Sequence, residues 1–149
     1  MRTPSEVFKS LVNGVSEGNW QALPDLYAEH TDVSHPFDPH RSPALRTRDE
    51  LREHFHPTGE GPDIRRQATN ITIHETTDPE VLVAEFTYEG TADQIPFTQP
   101  AIFVLRIRNG QIVESRDYLD PLTTAQIHNR LDAAVKATKA RTKPTNQPQ

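Results

Sequence analysis

The chemistry this sequence can offer centres on one carboxylate and two histidines. Asp117 lies in the run Arg116-Asp117-Tyr118-Leu119-Asp120. Period-two alternation places it on one strand face with Val113, Ser115 and Leu119. A carboxylate on a mostly apolar face is desolvated, which raises its pKa and makes it a general acid or base near neutral pH. The competing reading is an ion pair with a neighbouring arginine on the sheet surface. His35 sits between Val33 and Phe37 in Val33-Ser34-His35-Pro36-Phe37, a segment whose odd-numbered residues share a face. Its imidazole can exchange a proton with Asp117, or can be a buried histidine satisfied by a backbone carbonyl. His54 falls three residues after Leu51, on the same side of a helix. It either enters a pocket or borders the core with its tip in water.

Around these three, Trp20, Phe37, Phe55, Phe86, Tyr88 and Phe103 can wall an apolar substrate site, although the core needs the same residue types. Tyr27, Tyr88 and Tyr118 can donate to a ligand oxygen. Alternation keeps Tyr118 and Asp117 on opposite strand faces. The chain contains no cysteine, which excludes thiolate nucleophiles, disulfides and Cys-ligated metals, and fits a reducing cytoplasm. His54 and His56 are two residues apart on a helix and point to different sides, so no metal site is expected.

The elements that must position these groups follow from capping and periodicity. Thr3-Pro4-Ser5-Glu6 is a capping box, followed by Val7, Phe8, Leu11, Val12 and Val15 at helical spacing and by Gly18 as a stop. Asn19 can cap a second helix with Trp20, Leu23, Leu26 and Tyr27 on one face. A strand is expected over 32–37, then a loop to about Leu45, because Pro36, Pro39 and Pro43 exclude a helix. Thr47-Arg48-Asp49-Glu50 is a second capping box, opening a third helix that Pro57 stops. Four antiparallel strands are expected over 68–75, 81–89, 98–108 and 111–119. Asn109-Gly110 marks a type I′ hairpin between the last two. A final helix runs from Thr123 or Thr124 to about Lys139. Residues 1–141 thus form one α+β domain, and 142–149 read as a disordered tail.

Composition narrows the partners. Sixteen Lys and Arg against 21 Asp and Glu give a net charge of −5, with no basic stripe to hold nucleic acid. No apolar run is long enough to span a membrane.

The sweep from the first helices to Val33-Ser34-His35-Pro36-Phe37, the Asn109-Gly110 hairpin and Arg116-Asp117-Tyr118-Leu119-Asp120 resembles the SnoaL-like proteins. These belong to the superfamily of nuclear transport factor 2 and ketosteroid isomerase. The resemblance covers roughly residues 5–130. It implies a cone in which a strongly curved antiparallel sheet wraps three N-terminal helices, with a C-terminal helix and an apolar cavity, in a homodimer. Asn70-Ile71-Thr72-Ile73-His74-Glu75-Thr76-Thr77-Asp78-Pro79 and the segment 109–121 are most similar to the phenazine biosynthesis A/B branch. That similarity puts the branch's acidic residue at Asp117 and its helix histidine at His54. The branch's serine falls at Thr58 and is not matched. Epoxide hydrolases of the superfamily need an Arg-x-Asp pair in mid-sheet, which Val83-Ala84-Glu85-Phe86-Thr87 lacks.

The resemblance implies a cofactor-independent cyclase or isomerase of secondary metabolism acting on an apolar, polyketide- or terpenoid-like molecule. Asp117 would move the proton, and His35 or His54 would tune it. The alternative is a non-catalytic small-molecule binding or dimerisation module of the same fold.

Overall fold

The computed structural model describes residues 1–56 and 60–142. The expected stop at Pro57, the Thr58 position and the tail expected over 143–149 lie outside the described residues. Helix α1 (Pro4–Glu17) starts as the capping box requires, with Thr3 Oγ1 accepting from the Glu6 N–H at 3.2 Å. It ends at Gly18, whose φ of 69° suits a residue without Cβ. Its apolar stripe is buried against the sheet, and the Phe8 ring meets the edges of Phe86 and Phe103 at 5.4 and 6.4 Å.

The second expected helix is a single 3-10 turn, Leu23–Leu26. Pro24 has no N–H to donate to an i−4 carbonyl, and Tyr27 already belongs to a strand. Strand β1 (Tyr27–Ser34) therefore starts five residues earlier than expected and stops before His35. The loop that follows leads to a short strand, β2 (Leu45–Thr47), which the sequence does not announce. Helix α2 (Arg48–Phe55) begins where expected, capped by Thr47 Oγ1 on the Glu50 N–H.

Four long strands follow: β3 (Ile64–Glu75), β4 (Val81–Ala92), β5 (Ile95–Arg108) and β6 (Gln111–Leu119). The curved, open sheet runs β2-β1-β6-β5-β4-β3. It is antiparallel except where β1 lies parallel to β6, so it is mixed rather than wholly antiparallel. The β5–β6 turn is the Asn109-Gly110 hairpin, with φ of 54° and 74°. The β4–β5 turn, Asp93-Gln94, has φ of 48° and 69° at both residues without a glycine. That missing signal is why both strands extend past their expected ends. Gly90 sits where β3 and β4 approach closely: a Cβ there would lie 1.8 Å from the Arg65 carbonyl oxygen.

The last helix is two. α3 (Pro121–Ile127) is capped by Asp120, and α4 (Leu131–Arg141) follows a break at Asn129, whose φ is 58°. Thr142 caps α4 and is therefore not part of a disordered tail. A bulge in β6 opposite Arg106 and Ile107 skips Val113 and turns Ile112 inward, where it is fully buried.

Candidate active site

The parallel β1–β6 join builds the site. Its register pairs Ser34 with Arg116, so the next residues along, His35 and Asp117, fall side by side. Asp117 is buried on the inner face of β6. The Ser115 hydroxyl, two residues back on that face, donates to Asp117 Oδ1. His35 Nε2 stands 3.6 Å from Oδ2. Burial pushes the Asp117 carboxyl above the usual aspartate range, and His35 and the Ser115 hydrogen bond pull it partly back.

Helix α2 brings His54 to the same place. The His35 and His54 rings lie 5.6 Å apart between centroids. His54 is open to the cavity but enclosed by the protein around it. That enclosure first, then the charges of His35 and Arg66, lower its pKa from 6.5 to about 4, so its imidazole is neutral at physiological pH. Tyr27 lies behind this cluster, wholly buried, and its phenol is raised well above 10 by burial and by Asp117.

Asp117, His35 and His54 line one cavity of about 930 Å³, together with Trp20, Phe37 and Phe55. That volume suits a small organic molecule. Phe86, Tyr88 and Phe103 stand behind the wall: each is at most 5% exposed, and Phe86 and Phe103 pack edge to face at 5.0 Å in the core under α1. They do not line this cavity. Phe37 is at the rim rather than the interior. Asp38 N bonds to the His35 carbonyl in a turn that breaks the alternation, and the Phe37 ring rests on Tyr118 at 5.1 Å, on the outer side of β6. The rim loop is held by Asp38, which accepts from the N–H groups of His40 and Ser42, and by Arg141, whose guanidinium donates to the Pro39 carbonyl.

Residues beyond those expected also line the cavity. Arg66 on β3 and Gln99 on β5 face the cavity, and Arg66 Nη1 donates to Gln99 Oε1 at 3.2 Å. The guanidinium also lies over the Tyr88 ring at 4.7 Å. The available signal was the inward phase of Ile64, Arg66 and Ala68, visible once β3 is extended back to Ile64. Among the described residues, no group of three or more His, Asp or Glu side chains could hold a metal ion. No helix among them is long and apolar enough to cross a membrane.

The arrangement can take a proton from a carbon or oxygen acid at Asp117 and return it. The His35 and His54 imidazoles line the same cavity and can hydrogen-bond to a reacting group beside Asp117.

Comparisons with known proteins identify relatives of this chain and of its fold. The SnoaL-like domain matches residues 8–115. An uncharacterized PhzA/B-like protein of Pseudomonas aeruginosa is 33% identical over 128 residues, covering 82% of this chain and 87% of that protein. Among solved structures, a candidate isomerase from Bacillus subtilis superimposes with a TM-score of 0.75 at 22% identity, over 84% of this chain and 91% of that one. A candidate polyketide cyclase from Pseudomonas putida does so with a TM-score of 0.68 at 15% identity, over 86% and 99%. A Catenulispora acidiphila protein with a ketosteroid isomerase-like fold, in complex with trimethylamine, gives 0.66 at 18% identity, over 86% and 95%. At such identities the superpositions show a shared fold.

Proposed function

The chain belongs to the SnoaL-like domain family, and from that premise we propose that it is a cofactor-independent acid–base enzyme of the cyclase or isomerase type. The observation that carries this reading is the Asp117 carboxylate. It is buried in a cavity wall, with a histidine 3.6 Å away and no arginine or lysine bridged to it among the described residues. A carboxylate placed only for stability is usually matched by a permanent cation, because burying the charge alone is unfavourable, whereas the partner here is a titratable imidazole. One that must take and release a proton gains from the raised pKa.

Asp117 removes a proton from an activated C–H of a small, largely apolar molecule of the kind made in secondary metabolism, and delivers it back at a second position or to a ring-closing oxygen. Ser115 and His35 set the carboxylate's orientation and charge. Neutral His54 donates a hydrogen bond to the oxyanion that develops. Proton exchange at the α-carbon of cyclic enones in D2O, followed by NMR, tests the reading without knowledge of the substrate. The wild type catalyses exchange, and Asp117→Asn does not. Equal exchange by both proteins returns the chain to the alternative, a binding module.

The same proposal includes a homodimer formed through the outer sheet face. Ile102, 40% exposed, lies opposite Tyr118 there, flanked by Glu85, Arg116 and Phe37. A mixed apolar and charged surface of this kind suits a protein–protein interface with a polar rim.

A further inference from the structure

The inner end of the cavity holds a charge that the acid–base reaction does not use. Arg66 makes one side-chain hydrogen bond among the described residues, from Nη1 to Gln99 Oε1 at 3.2 Å. Its Nε is buried and has no hydrogen-bond partner among the described residues. No carboxylate among the described residues stands within ion-pair distance of it. The nearest acid in sequence, Asp63, is turned to Arg65 at 3.3 Å. Of the other titratable groups that bear on this corner, His54 and His128 feel Arg66 as a repelling cation, and the buried Tyr88 phenol is attracted to it. Burial also lowers the guanidinium's own pKa, as expected for a cation short of a counter-charge.

The corner is built rather than accidental. Gln99 is fully buried, and its Nε2 donates to Thr124 Oγ1 at 2.8 Å. Thr124 in turn donates to the Asp120 carbonyl at 2.7 Å. That relay fixes the amide so that its oxygen must face Arg66. The Tyr88 ring holds the guanidinium from the other side. The side chain is thus fixed at both flanks, and it lines the cavity.

We propose that Arg66 is the binding site for a single carboxylate on the substrate. A planar monoanion matches one guanidinium in charge and in fork geometry. Along β5, Gln99 is four residues from Phe103, the partner of Asp117. At roughly 3.3 Å per residue the two ends of the site are separated by about 13 Å of strand. The substrate is then an apolar body with its reacting carbon near Asp117 and an acid group at the far end. This assignment rests on the acid–base reading for what happens at Asp117, but not for the binding itself.

Isothermal titration calorimetry of the full chain with 4-phenylbutanoate and its neutral amide, 4-phenylbutanamide, at pH 7.5 tests it. The acid binds the wild type at least tenfold more tightly than the amide. In Arg66→Met, checked for an unchanged circular dichroism spectrum, the two bind within twofold of each other. Arg66→Lys keeps part of the preference. Equal affinities in the wild type, no heat from either ligand at millimolar concentration, or an acid preference that survives Arg66→Met overturns the carboxylate site. Enone exchange by wild type and Asp117→Asn is read in parallel. A lost preference with Asp117-dependent exchange removes only the subsite. A kept preference with Asp117-independent exchange removes only the acid–base function.

Discussion

His35 Nε2 stands 3.6 Å from Asp117 Oδ2 across the parallel join of β1 and β6. Neither strand alone brings a histidine to this carboxylate. The contact exists because the chain returns to pair its last strand with its first, 82 residues apart by number (117 − 35). A proton donor or acceptor beside a desolvated acid is the relationship on which the proposed chemistry depends.

Asp117→Asn lowers enone exchange by about 10²–10⁴-fold, the usual contribution of a general acid or base. Its effect on stability has the opposite sign. The carboxyl's folded pKa lies above its unfolded value, so its contribution to stability is complete below the unfolded pKa and is lost as pH rises through the folded one. The variant's melting temperature therefore gains on the wild type as pH increases from 4 to 8. A variant that melts lower across that range would show that Asp117 holds the fold together.

His35→Gln shifts the acidic limb of the pH–rate profile to higher pH. His35 is the charge that lowers the Asp117 pKa, and its removal leaves burial with less opposition. A limb at the same pH in both proteins would remove His35 from the site's electrostatics.

His54 gives the fold a pH dependence of the reverse kind. With a folded pKa of about 4 against 6.5 unfolded, the native state binds fewer protons, and its contribution to stability is lost as pH falls from 6.5 towards 4. Calorimetric melts of His54→Gln over this window show a flatter dependence than the wild type. Parallel curves would mean that His54 protonates freely in the folded cavity.

Gly90→Ala destabilises the protein by about 3 kcal/mol, read as a lower urea midpoint with unchanged slope. The added Cβ would lie 1.8 Å from the backbone oxygen of Arg65, which a flexible side chain cannot relieve. A midpoint within error of the wild type would mean that β3 moves aside easily.

Ile102→Glu turns the proposed dimer into a monomer at micromolar concentration by light scattering, with an unchanged circular dichroism spectrum. Ile102 faces outward at 40% exposure, so the change leaves the core intact. A wild type that is already monomeric removes the dimer from the proposal.

Local order was legible from the residues themselves. Thr3 and Thr47 cap their helices because a hydroxyl three residues before a free N–H is a sequence-local arrangement. Asn109-Gly110 closes its hairpin because both residues tolerate positive φ. The α+β order, the family resemblance and the inward phase of Asp117 came from the same short-range information. Where a glycine is missing from a turn, or a proline falls inside a helical pattern, local signals misplace the element. Asp93-Gln94 turns without glycine, and Pro24 ends a helix before it forms.

The tertiary structure alone decided which groups meet. The bulge that buries Ile112 depends on how β6 pairs with β5, and the turn that carries Phe37 to Tyr118 depends on where β1 stops. Arg66 is an ordinary charged residue in sequence. It becomes a buried cation with no carboxylate partner among the described residues only because β3, β5 and α3 close around it with Gln99 and Thr124. Periodicity reports which face of a strand a residue takes, within a few positions. Whether that face finds water, a counter-charge or neither depends on partners dozens of residues away, and only the packed fold sets it.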